Sequence, residues 1–172
     1  MDRAELLQPL ALFAGIPPAE LERLGDVAEW RAIPVGMVLM EEGEQGDSLF
    51  VVVEGRFLVD VGTDAVRQRI AEVGPGEILG ETCLFRRTVV RSARVAALEP
   101  GTVIRLGIAE LDTLARSGSH VPLLIERAVL QTLTERIVRS RELIEEVLVQ
   151  PAQQRPKEGI FQRLRALVGL RS

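Results

Sequence analysis

Apolar residues change their rhythm twice along this chain. Over residues 3 to 12 and 18 to 28 they recur at helical spacing, as Leu6, Leu7 and Leu10 and then as Leu21, Leu24 and Ala28, with Gly15, Pro17 and Pro18 between the two runs. This pattern predicts two short opening helices. From Trp30 to Leu106 the helical spacing gives way to short runs rich in β-branched residues: MVLM, SLFVVVE, RFLVDV, RQRIAEV, SARVAAL and TVIRL. Turns fall at Gly36, Gly43, Gly46, Gly55, Gly62, Gly74 to Gly76 and Gly101. Short strands recurring at roughly 8 to 12 residue intervals predict an antiparallel roll or barrel.

After Gly107 helical spacing returns, first in IAELDTLARS and then over a long segment from about Pro122 to Gln150. Along that segment Leu130, Leu133, Ile137, Ser140, Ile144 and Val147 alternate steps of three and four, which is a heptad seam. A helix of about 28 residues is about 42 Å long, more than a small barrel can cover. Part of it is therefore expected to pack on another helix, most simply that of a second copy in a homodimer. Pro151 and Pro156 bracket a polar linker, and beyond it Ile160, Phe161, Leu164, Leu167 and Val168 share a helical face opposite arginines. The chain thus reads as N-terminal helices (1–28), a β-roll (29–107), a hinge helix with a long dimerisation helix (108–150) and a basic amphipathic tail (151–172).

Composition narrows the function classes. A single cysteine, Cys83, cannot form an internal disulfide, which favours a reducing compartment. The N-terminus has the features of neither a signal nor a transit peptide, and no apolar run approaches the roughly 20 residues of a spanning helix, so a cytoplasmic protein is expected. Charge is uneven: the tail carries +4, leaving −8 on the remainder of a chain whose net charge is −4. An acidic body repels phosphate backbones and the 22 residues after Gln150 are too few for a DNA-reading module, so no nucleic-acid partner is expected. His120 is the only histidine, and Lys157 follows Arg155-Pro156 rather than a glycine loop. No metal-ligand cluster or nucleophile–base pair stands out, so the expectation is a protein that is not an enzyme.

The informative stretch is GEILGETCLFRRTVVRSARV, residues 76 to 95. Gly80 lets backbone come close to a ligand, Glu81 offers an acceptor, and Thr82 to Phe85 can form one helical turn with N–H groups free for an anion. Ten residues after the glutamate come Arg91, Ser92 and Ala93. A cyclic phosphate diester beside a free ribose hydroxyl needs a guanidinium, a few donors and one acceptor, which is the set offered here. Taken alone, the same residues fit equally well a strand, a turn and a surface Glu–Arg pair.

This stretch resembles the phosphate-binding cassette of the cyclic nucleotide-binding domain family. Upstream, EEGEQGDSLFVVVEGRFLV is similar to that family's glycine-turn signature, with Gly43, Gly46, Asp47 and Gly55 in place, and LLQPLALFAGIPPAELERL is similar to its N-terminal helices. The ten-residue step from Glu81 to Arg91 resembles the catabolite-activator branch in particular. The resemblance implies a mainly β fold with helices, a jelly roll (double-stranded β-helix) flanked by N-terminal helices and a long C-terminal helix. It implies a ligand site drawn from Gly80, Glu81, Thr82, Cys83, Arg91, Ser92 and Ala93, with Glu81 accepting from the ribose hydroxyl and Arg91 and Ser92 holding the phosphate. Arg136 and Ser140 of the long helix take the roles of steadying the glutamate and touching the base; a small polar residue at Ser140 equally well sets register in the seam. Thr82 and Cys83 stand where relatives carry apolar residues, and Cys83 reads as a packed residue more than a redox sensor. A hydroxyl after the arginine accommodates both purines, so cAMP is favoured only modestly over cGMP. The implied function is a stand-alone cyclic nucleotide sensor signalling through its long helix and tail, the latter docking on a protein groove or an anionic membrane surface. The alternatives are a scaffold protein that retains the fold without signalling, and the sensor part of a transcription regulator.

Overall fold

The structure, a computed structural model, describes residues 2–63, 66–84 and 89–149, of which 139–140 and 142–149 are described by their backbone alone. Helix α1 (Arg3–Leu7) opens with Asp2 as its cap, the carboxylate accepting from Ala4 N–H at 3.2 Å while Glu5 accepts from Asp2 N–H. It stops two residues short of Pro9, which cannot continue a helix; the apolar pattern predicted a run to residue 12. A short 3-10 turn (Ala11–Phe13) follows, and then α2 (Pro18–Val27), with proline at a first helical position where no N–H is needed.

Ten strands are described: β1 (Glu29–Ile33), β2 (Val38–Met40), β3 (Gln45–Gly46), β4 (Ser48–Glu54), β5 (Phe57–Thr63), β6 (Val66–Val73), β7 (Ile78–Leu79), β8 (Val89–Val90), β9 (Arg94–Ala97) and β10 (Gly101–Gly107). They pair antiparallel into one sheet of order β1-β10-β4-β7, a second of order β2-β9-β5-β6, and a ribbon β3-β8. The two sheets form a jelly roll without closing into a hydrogen-bonded barrel. Ile33, Phe50, Val52, Leu79 and Val103 of the first sheet meet Met40, Phe57, Val95 and Ala97 of the second in the core between them. The other face of the first sheet, with Leu49, Val51, Val53, Ile104 and Leu106, is covered by helix residues including Leu7, Leu21, Leu24 and Leu114. Strand β4 is thus covered on both faces, which is why its sequence is an unbroken apolar run rather than an alternation.

At Gly107 the chain turns into α3 (Ile108–Arg116), whose Glu110 accepts from Gly107 N–H at 3.0 Å, and then into α4 (Val121–Val149). Glu20 on α2 ties down the start of α4: its carboxylate accepts from His120 N–H at 2.7 Å and from the Ser119 hydroxyl at 2.9 Å, and meets His120 Nδ1 at 2.9 Å. Val121, Ile125 and Val129 bury against the helical core. The heptad seam divides here. Leu133 packs on its own body, whereas Leu130 and Ile137, with Leu123, form an outward stripe seven residues apart and 56 to 65% exposed. Of the expected face, Leu130 and Ile137 are exposed while Leu133 is half-buried against its own helical core. The side chains of Ser140, Ile144 and Val147, the residue Phe85 and the whole tail 151–172 lie outside the described residues.

Candidate ligand-binding site

A cavity of about 610 Å³ lies between the inner face of the second sheet, the segment following β7 and the middle of α4. Its volume falls in the range typical of small-molecule sites, about 300–1,000 Å³. Met40, Val59 and Val95 make its apolar floor; Gly80 to Thr82 and Arg91 to Ala93 form one polar wall, and residues of α4 from Thr132 to Val138 form another.

The polar wall is built around Arg91, which is 5% exposed. Its main chain is pinned to the preceding turn, with its N–H donating to Glu44 O at 2.8 Å and its carbonyl accepting from Gly43 N–H at 3.0 Å. The side chain donates from Nη1 to Gly80 O at 3.2 Å and from Nη2 to Ser48 O at 2.7 Å, and its Cζ lies 5.8 Å from the centroid of the Phe50 ring. Burial pulls the guanidinium below its ordinary range, and the fields of Cys83, Glu44, Asp47 and Glu81 oppose that pull. Two glycines make room for it. Gly80 has φ +70°, and a Cβ there would overlap Nη1; a Cβ on Gly46 would overlap Cζ.

Glu81 begins a 3-10 turn (Glu81–Leu84) and is also 5% exposed. Its Oε1 accepts from Nη1 of Arg136 in a close ion pair that ties α4 to the turn. Glu81 lines the cavity together with Arg91. Thr82, Ser92 and Ala93 are half-buried at the cavity edge. The structure thus brings Gly80, Glu81, Thr82, Arg91, Ser92, Ala93 and Arg136 to one cavity. Cys83 is the correction: it is 1% exposed and does not line the cavity, because its side chain packs, with that of Leu84, in the core under the helices. Burial pushes its thiol up to about 11.

Several cavity residues were not picked out from the sequence. Thr132, Glu135 and Val138 of α4 face the cavity, but the heptad pattern drew attention to the other side of that helix. Ile70, Glu72 and Val73 of β6 join them only because β6 is the edge strand next to β5. Gly46 read as a turn; its alignment with the Arg91 guanidinium depends on the β3-β8 ribbon. Among the described residues no group of three His, Cys, Asp or Glu side chains is placed to hold a metal ion.

The jelly roll thus sets one buried guanidinium and one arginine-paired carboxylate at a half-open cavity. Residues 30–117 match the model of the cyclic nucleotide-binding domain, and the chain belongs to that family. It is 31% identical over 127 residues to a cyclic nucleotide-gated potassium channel of Mesorhizobium japonicum, an alignment covering 74% of this chain and 34% of the channel. The chain therefore spans about a third of that relative's length. Among solved structures it is similar to a cyclic nucleotide-binding domain from Methylobacillus flagellatus, with TM-score 0.67 and 26% identity over 88% of this chain and 85% of that one. It is also similar to the catabolite activator protein of Thermus thermophilus, with TM-score 0.62 and 26% identity over 80% of this chain and 62% of that one. Among the described residues no helix is long and apolar enough to cross a membrane.

Proposed function

We propose that this chain is a cytoplasmic sensor that binds a 3′,5′-cyclic nucleotide and has no catalytic step of its own. The observation that carries the reading is Arg91: a guanidinium held by two backbone carbonyls at the wall of a cavity, ten residues from a buried carboxylate. In this reading the cyclic phosphate, a monoanion, sits against Arg91 and the Ser92 hydroxyl. The ribose 2′-hydroxyl donates to Glu81, which Arg136 holds in place. The base lies over the apolar floor of Met40, Val59 and Val95, under the α4 residues that face the cavity. The Ser92 hydroxyl serves either purine, so cAMP leads cGMP by a modest margin.

Output runs through α4. Arg136 links this helix to a ligand-binding carboxylate, so a ligand that engages Glu81 changes what holds the helix, provided it binds the two helix positions with different affinity. The outward stripe of Leu123, Leu130 and Ile137 supports homodimerisation, and the tail is the segment offered to a protein partner or an anionic membrane.

Calorimetric titration of cAMP and cGMP into the wild-type chain and Arg91→Ala tests the reading. Loss of charge-assisted bonds to phosphate costs about 2–3 kcal/mol, so affinity should fall about 30- to 150-fold. Absence of binding by both nucleotides to the wild-type protein, or equal affinity for the variant, refutes it.

A further inference from the structure

The junction between β3 and β4 carries two of the features that set Arg91 in place. Gly46 lies against the guanidinium, and the carbonyl of Ser48 accepts from Nη2 at 2.7 Å. The ribbon that delivers them is short: β3 and β8 pair Gln45 with Val90 and Gly46 with Val89, and two backbone bonds between Arg91 and the Gly43–Glu44 turn extend it. Asp47, between the two, does not line the cavity. Its side chain is 71% exposed and accepts from Arg105 Nη2 at 2.9 Å, while Arg105 Nη1 reaches Glu29 Oε2 at 3.4 Å. The Arg105 hydrogen bond holds the Asp47 carboxyl below its ordinary range. Arg105 sits on β10 opposite Phe50, whose ring faces Arg91; two residues further, Gly107 stands opposite Ser48, and there the strand becomes α3.

We infer that Arg105 is a positioning residue for Arg91: by gripping Asp47 it fixes the Gly46 backbone and the Ser48 carbonyl against which the guanidinium is set. The same grip ties that junction to the strand that leads into α3 and α4, so the anion site and the helical output share one support. This rests on the reading of Arg91 as the partner of the ligand's phosphate. The Arg105–Asp47 pair is open to solvent on one side, and exposed pairs contribute little, so the effect on affinity is about two- to fivefold.

Arg105→Gln, Asp47→Ala, their combination and Arg105→Lys provide the test, each titrated with cAMP and cGMP by calorimetry. Each single loss should weaken binding about two- to fivefold, the double variant should be no weaker than either single, and lysine should restore most of the affinity. In the ligand-free protein the side-chain Nε–Hε signal of Arg91, assigned by comparison with Arg91→Lys, should move in Arg105→Gln and Asp47→Ala and return toward its wild-type position in Arg105→Lys. Additive losses, unchanged affinity, recovery of wild-type affinity in the double variant, or an unmoved Arg91 signal would each overturn the inference. A wild-type protein that binds neither nucleotide sinks the function proposed above, and the Arg91 signal then still decides the role of Arg105.

Discussion

Gly80 offers a way to weigh the Arg91 slot without any ligand. Two separate costs meet in Gly80→Ala. The first is conformational: at φ +70° an L-residue is disfavoured by about 1–2 kcal/mol. The second is steric, since the new Cβ overlaps Nη1 of Arg91 and lies 3.1 Å from Ser48 O. The guanidinium must leave at least one of its two carbonyl partners, and a buried acceptor left unsatisfied costs about 1–3 kcal/mol. In the wild-type background the substitution should therefore destabilise by about 2–5 kcal/mol. In an Arg91→Ala background the overlap with the guanidinium disappears, leaving the backbone cost of about 1–2 kcal/mol and the tight 3.1 Å approach to Ser48 O. Urea unfolding followed by the fluorescence of Trp30, the only tryptophan, gives all four corners of this cycle, because Trp30 packs against the helical core and reports its loss. Equal destabilisation in both backgrounds would mean that the guanidinium does not rest on Gly80, and the geometry of the site would have to be redrawn.

The outward stripe of α4 should behave as an interface: Leu130→Gln with Ile137→Gln should shift the mass measured by light scattering toward monomer and change monomer stability little. The buried Ile125→Ala, by contrast, should cost about 2–5 kcal/mol. An unchanged mass for the double variant would remove the stripe from assembly. The bond from the His120 ring, then that from the His120 backbone N–H, holds the Glu20 carboxyl at about 2 against an ordinary 4.5. Because folding lowers this value, the contribution of Glu20 is complete above 4.5 and is lost as pH falls toward 2. The melting-temperature gap between wild type and Glu20→Gln should accordingly close over that acid interval; a gap that persists unchanged to its lower end contradicts the latch. Cys83, buried and with its thiol raised to about 11, should resist thiol reagents in the folded protein and react fully in denaturant. Rapid labelling of the native chain would place it elsewhere.

Much of the fold was legible along the chain because its signals are local. Glycine punctuation between β-branched runs marks strands wherever they end up, and the change of period after Gly107 marks the return to helix for the same reason. The Glu81 to Arg91 interval was equally plain as a pair of residue types, and its meaning came from resemblance to a family. What spacing misjudged depended on neighbours distant in sequence. Leu133 of α4 packs partly on the molecule's own core, and Cys83 packs beneath the helices instead of lining the cavity; the early end of the first helix, by contrast, is local and set by Pro9.

By itself the sequence determined the order of helices and strands and the mainly β character, since these follow from periodicity and turn chemistry; the candidate anion-binding residues took their meaning from resemblance to a family. Only the tertiary structure decided that Arg91 is buried between Gly80 and Ser48, that Arg136 reaches across 55 residues to Glu81, and that Arg105 grips Asp47 from a strand 58 residues away. Such contacts depend on how the sheets pair and where α4 crosses them, and no local pattern records which distant partner a side chain will meet.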